Sequence, residues 1–262
     1  MSNWTLITGA SEGLGVEFAR IAAREGRKVI LTARSQDKMT RLAQELRTAG
    51  TEVVVIPADL NDMTQVEHLW AQATEGRTID MLVNNAGLGR NGPFAPDNVT
   101  GADWAREVNS MQVNMTALTR LMKLAIPHMQ TGDGGRILNV ASTAAFLPGP
   151  NMAVYHATKA FVLSLSEAVA FELRGTGVTV SALCPGATQT NFFNDADMHG
   201  IRLLKFAPPA PADKVAQVGW DGALRGRSVI VPGLLNKVFA FLPRISPRVI
   251  VVWVTNIFMS KS

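Results

Sequence analysis

Short apolar runs recur along the chain: WTLIT (4–8), KVILTA (28–33), EVVVIP (52–57), IDMLVN (79–84), GRILNVA (135–141), VTVSAL (178–183) and SVIVP (228–232). Each is rich in β-branched or aliphatic residues and only four to seven or so residues long, which predicts a strand. The rhythm changes between them. VEFARIAAREG carries apolar residues at 16, 18, 19, 22 and 23, and KMTRLAQELRTAG at 39, 42, 43 and 46, the spacing of a helix with one buried face. Gly26 and Gly50 stand where the ends of these helices favour a left-handed residue. Strands apolar on both faces, alternating with helices, predict a parallel sheet covered on both sides. The fold class is therefore α/β, a doubly wound sheet of about seven strands flanked by helices, occupying residues 1–232 as a single domain.

Residues 233–262 (GLLNKVFAFLPRISPRVIVVWVTNIFMSKS) extend beyond that pattern. Their strongest apolar run, near 249–254, is well short of the roughly 20 residues that span a bilayer. Pro243 and Pro247 break any single long helix, leaving two short helices with apolar faces and basic flanks. Three placements stay open: over a substrate cleft, in a subunit contact, or on an anionic membrane surface.

Composition narrows the class. With 47% hydrophobic and 18% charged residues, the chain has the means for a large core. The net charge of +4 is unevenly spread: after Asp221 no acidic residue remains, while Arg225, Arg227, Lys237, Arg244, Arg248 and Lys261 follow. This excess is modest, lies in an apolar tail and carries no recognition motif, so nucleic-acid binding is disfavoured. Cys184 is the sole cysteine, and no basic-then-apolar leader is evident, so a cytoplasmic location is expected. His68, His128, His156 and His199 are scattered without metal-ligand spacing, and no metal site is read.

The chemistry begins at TGASEGLG (8–15), between the first strand and the first helix. Gly9 permits a tight turn, Gly13 lets backbone approach a phosphate, and Gly15 allows close packing of helix on strand. The exposed N–H groups and positive dipole of a helix start then favour a pyrophosphate. Tyr155, the only tyrosine, precedes Lys159 by one helical turn. Residues four apart share a helix face, so both side chains can enter one cleft. A nearby ammonium is expected to lower the phenol's pKa and make it a general acid or base.

TGASEGLG, NNAG (84–87), Asn114, Ser142, YHATK (155–159) and PGATQT (185–190) occur in the order and spacing of the short-chain dehydrogenase/reductase family, which the chain resembles over residues 4 to about 195. The resemblance implies a Rossmann fold and NAD(P)-dependent interconversion of a carbonyl and a secondary alcohol. It makes Tyr155 the acid/base. Ser142 holds the substrate oxygen, Lys159 also binds the nicotinamide ribose, and Asn114 orients a proton-relaying water, with Asn109 as the rival for that place. It brings Gly9, Ser11, Gly13, Leu14 and Gly15 to the phosphates, and Asp59 and Leu60 to the adenine. Asn85, Ala86 and Gly87 pass under its ribose, while Pro185, Gly186, Thr188 and Thr190 hold the nicotinamide. At the end of the second strand, Ala33 and Arg34 replace the acidic residue that NAD-binding relatives carry. Arg34 offers a planar fork to a 2′-phosphate and Ser35 a hydroxyl. NADP is the expected cofactor and NAD the less favoured one, although Glu12 departs from the basic residue of many NADP-binding relatives.

After the nicotinamide segment, residues 191–214 hold Phe192, Phe193, Met198, Ile201, Leu203, Leu204 and Phe206, too many large apolar groups for a solvated loop. The resemblance makes this segment a lid, and its content implies a small-molecule substrate that is apolar. Family members are often homodimers or homotetramers. Two other classes remain: an NADPH-binding sensor or scaffold with little turnover, and an enoyl reductase, whose tyrosine and lysine usually lie further apart. His156 projects about 100° from Tyr155 on the helix, and Cys184 reads as a core thiol.

Overall fold

The computed structural model describes residues 4–95, 101–198, 202 and 208–260, with the side chain of residue 102 left aside. Each of the seven apolar runs becomes a strand: β1 (Trp4–Thr8), β2 (Lys28–Thr32), β3 (Val53–Val55), β4 (Ile79–Asn84), β5 (Gly135–Val140), β6 (Val178–Leu183) and β7 (Val229–Ile230). They form one sheet in the order β3-β2-β1-β4-β5-β6-β7, with every neighbouring pair parallel.

Side-chain alternation divides the core between the two faces. Leu6, Ile30, Leu82, Ile137 and Val180 pack with α3 (Met63–Thr74), α5 (Leu118–Gln130) and α6 (Ala153–Glu172). Ile7, Leu31, Val83, Leu138 and Leu183 pack with α1 (Leu14–Arg24), α2 (Gln36–Thr48) and α8 (Ala212–Leu224), where Phe18 and Trp220 are fully buried. Burying one such side chain contributes roughly 1.5–3 kcal/mol. A slip of one residue would exchange the faces, so the apolar pattern itself fixes the register. Gly26 and Gly50 sit past the ends of α1 and α2 with φ of 71° and 88°, as the sequence predicts.

Strand order reverses at β1. The chain moves outward through β2 and β3, then returns to place β4 on the other side of β1. The connections leave the carboxyl ends of β1 and β4 in opposite directions, opening a crevice there. α4 (Gly101–Met111) runs into α5 through a widened π turn at Gln112–Ala117.

The tail forms the two expected short helices, α9 (Leu234–Ile245) and α10 (Arg248–Met259). One detail differs. Pro243 does not end α9 but lies in its last turn, where it gives up a single i→i−4 bond, the one an N–H there would make to the Phe239 carbonyl. The break falls at Ser246, which is extended (ψ 144°) because it precedes Pro247. Within the segment expected to be a lid, α7 (Phe192–Asp195) and the start of α8 are described, whereas Ile201, Leu203, Leu204 and Phe206 lie outside the described residues.

Candidate active site

The crevice contains a cleft of about 530 Å³, and all the anticipated site residues except Gly15 and Asn114 line it. At its floor, Gly9 and Gly13 adopt φ of 63° and 59°, a region that residues with a Cβ rarely enter. A Cβ on Gly9 would stand 2.8 Å from the Cα of Ala86, and one on Gly15 would stand 2.2 Å from the carbonyl oxygen of Gly9. The turn is thus pressed against the end of β4. The Asn85 amide fastens it there, donating to the carbonyls of Thr8 (2.9 Å) and Gly9 (3.1 Å). No side chain caps α1 at Gly13, so the first N–H groups of the helix face the cleft floor unblocked by a capping side chain. These residues fit a dinucleotide pyrophosphate.

At one edge of the cleft, Arg34 and Ser35 are exposed beside Ala33, Asp59 and Leu60. Among the described residues the Arg34 guanidinium has no hydrogen-bond partner. Glu12, the residue that departs from the NADP pattern, forms a 3.0 Å ion pair with Lys38 at this edge.

The catalytic candidates converge at the carboxyl end of β5. Ser142 follows the strand in extended conformation, and its Oγ accepts from the Ala144 N–H (3.1 Å). Tyr155 and Lys159 project from the first two turns of α6 into the same cleft. Lys159 is buried. Its Nζ donates to the Val140 carbonyl (2.8 Å) and lies 5.8 Å from the Tyr155 ring centre. The electrostatics correct the expectation drawn from spacing. Loss of solvent pushes the Tyr155 phenol up to about 12, with a hydrogen bond to Ser142 pulling the other way. The same loss pulls Lys159 down to about 8. Desolvation sets the direction for both groups, and the hydrogen bond of the ammonium goes to the β5 carbonyl rather than to the phenol.

Asn114 does not line the cleft. It is buried in the π turn, where its amide donates to the Leu88 carbonyl (2.8 Å) and the Thr158 hydroxyl (2.9 Å), while its Oδ1 accepts from the Leu88 N–H (2.9 Å). Thr158 in turn donates to the Tyr155 carbonyl (2.8 Å). The π turn, the segment after β4 and the first turn of α6 are therefore tied together by one side chain. Asn109 sits away from this junction on α4 and makes none of these bonds.

Several contributors escape sequence reasoning. Gly89 packs flat on the site: a Cβ there would meet Phe192 at 2.9 Å and Tyr155 at 3.0 Å. Phe192, which the sequence does place in an apolar lid, leans on the Tyr155 ring, centres 5.2 Å apart. His156 lies closer to the site than its helical angle suggests. It lines the cleft and bonds the Leu147 carbonyl through Nδ1 (2.8 Å), and burial keeps its pKa low. The far wall is apolar and is built from Met152, Phe192, Phe193, Phe239, Val251 and Phe258. Asn236 of α9 abuts the segment expected to hold the nicotinamide so closely that a Cβ on Gly186 would lie 2.4 Å from its Oδ1. Cys184 is a buried thiol pushed up to about 12, as a core residue would be.

The model of the family described as short chain dehydrogenase matches residues 3–199. This chain belongs to the short-chain dehydrogenase family. A Nostoc protein named Ketoacyl reductase HetN is 35% identical over 207 residues, covering 78% of this chain and 70% of its own. Among solved structures, a short-chain dehydrogenase from Sphingobium yanoikuyae in complex with NADPH superposes with a TM-score of 0.80 at 30% identity, covering 94% of this chain and 97% of that one. A Burkholderia phymatum short chain dehydrogenase/reductase in complex with NAD also reaches a TM-score of 0.80, at 27% identity over 91% and 92%. Membership makes this short-chain dehydrogenase an NAD(P)-dependent oxidoreductase acting between carbonyl and alcohol. No helix among the described residues is long and apolar enough to cross a membrane.

Proposed function

We propose that this short-chain dehydrogenase uses NADPH to reduce a ketone on an apolar small molecule, with Tyr155 as the proton donor. The observation that carries the reading is the convergence of Ser142, Tyr155 and Lys159 between the glycine turn and a wall of aromatic and aliphatic side chains. When bound, the dinucleotide supplies the hydride. The chain's own residues do the rest. Ser142 donates to the substrate oxygen and fixes the carbonyl beside the phenol. A phenol pushed up to about 12 stays protonated at neutral pH, which suits a donor to the alkoxide formed on reduction. Lys159 holds its position from the Val140 carbonyl and offers its remaining N–H groups to the cleft. Asn114 is a positioning residue that fixes the backbones of Leu88 and, through Thr158, of Tyr155.

Preference for the 2′-phosphate rests on Arg34, exposed at the adenosine edge without a protein partner, and on the absence of a carboxylate at the end of β2. The Glu12–Lys38 pair offsets the negative charge that Glu12 brings to this edge. Initial rates with NADPH and NADH on a medium-chain ketone test this. The wild type is expected to favour NADPH, and Arg34→Asp to shift the kcat/KM ratio toward NADH by roughly 10- to 100-fold, the worth of one or two charge-assisted hydrogen bonds. An unchanged ratio refutes the assignment.

A further inference from the structure

The two tail helices carry the largest exposed apolar surface among the described residues. On α9, Leu234, Leu235, Val238, Phe241, Leu242 and Ile245 are all exposed, Leu234 by 79% and Ile245 by 66%. On α10, Val249 is 81% and Trp253 64% exposed, with Ile250, Val252 and Val254 beside them. A patch of this kind marks a docking site. Its charge is one-sided. Lys237 and Arg244 flank the α9 stripe at positions one helical turn or so from Phe241, Arg248 opens α10, and the sequence holds no carboxylate after Asp221.

The geometry points to a peripheral membrane-docking surface: α9 and α10 lie in the headgroup region of an anionic bilayer, with the mouth of the cleft toward the lipid. Each helix has 12 residues, about 18 Å of length, too short to span but suited to lying in the interface. Charge decides between lipid and a second copy of the chain. A two-fold contact through these helices would gather Lys237, Arg244 and Arg248 of both copies into one interface, and neither helix carries an acid to answer them. Anionic headgroups answer them directly. The cleft supplies the second argument. Leu242, Ile250 and Val254 line it and are also 43%, 52% and 36% exposed, so the apolar wall of the site runs without interruption onto the patch. An apolar substrate dissolved in the bilayer would reach the site along this path. Only that route rests on the proposed substrate class, and the docking does not.

Flotation with phosphatidylcholine vesicles, with and without phosphatidylglycerol, tests the inference on the full chain. Two variants accompany the wild type: Ile245→Glu with Val249→Glu, and Lys237→Gln with Arg244→Gln and Arg248→Gln. None of these five residues lines the cleft, and turnover of a short water-soluble ketone, with circular dichroism, checks that each variant is folded. The wild type is expected to float with the anionic vesicles at least tenfold more than with neutral ones, less so in high salt. The glutamate variant should lose flotation altogether, and the glutamine variant should lose the preference for anionic lipid. Absence of flotation in the wild type overturns the inference, as does flotation that neither variant alters. A wild type that does not float but halves its mass in light scattering on introducing the glutamates reveals a contact between copies instead, which equally overturns it. Failure of ketone turnover in folded protein counts against the reductase reading alone.

Discussion

Lys159 shows how burial, rather than neighbours, sets the chemistry of the site. Its ammonium is lowered from 10.5 to about 8 by desolvation, with Cys184 opposing slightly. Between those values the unfolded chain binds a proton that the folded chain has released, so stability rises with pH across that window. Tyr155 and Cys184, both pushed up to about 12, act in the opposite sense around and above their ordinary values of 10 and 9. Comparing urea unfolding of wild type and Lys159→Met between pH 8 and 9 therefore reads the lysine, because the cysteine contributes to both alike. The wild type is expected to gain stability over that interval, and Lys159→Met to lose the gain; parallel behaviour of the two would contradict the assigned burial. Spacing in the sequence was enough to put Tyr155 and Lys159 on one face of a helix. It could not reveal depth, and depth reverses the direction in which the phenol moves. Gly89 was illegible for a similar reason: its close neighbours, Tyr155 and Phe192, are more than 60 positions away.

At the scale of elements, the strands were the most legible part, because a sheet buried on both faces writes its strands as unbroken apolar runs. The two tail helices were legible as well, through Pro247, although Pro243 does not break the first of them. Their attachment was not. Gly186 of the nicotinamide segment and Asn236 of α9 meet so tightly that neither has room to grow, and the Asn236 amide is also held by the Pro232 carbonyl (2.7 Å). Gly186→Ala is expected to raise the KM for NADPH about tenfold, the scale of a 1–3 kcal/mol overpacking penalty. Asn236→Ala in the same chain should restore most of the loss by emptying the contested space, whereas alone it should change little. Additive effects in this double-mutant cycle would show that the two elements are not coupled through that contact.

For the molecule as a whole, the sequence announced the crevice, the nucleotide turn and the Phe192–Phe193 part of the apolar wall, but not how that wall is completed. That wall gathers Met152, Phe192, Phe239 and Phe258 from separate parts of the chain, and no local pattern records their meeting. An apolar wall continuous with the cleft predicts that affinity follows chain length. For a series of linear 2-ketones, kcat/KM should rise about fourfold per added methylene, the equivalent of about 0.8 kcal/mol, until the wall is covered. A flat series would place the substrate's bulk in solvent. The central claim concerns Tyr155, and NADPH consumption by wild type and Tyr155→Phe on the best ketone of that series tests it most directly. The account predicts a rate lower by about 10²- to 10⁴-fold with NADPH affinity within about threefold of wild type; a variant that keeps more than about a tenth of the wild-type rate contradicts it.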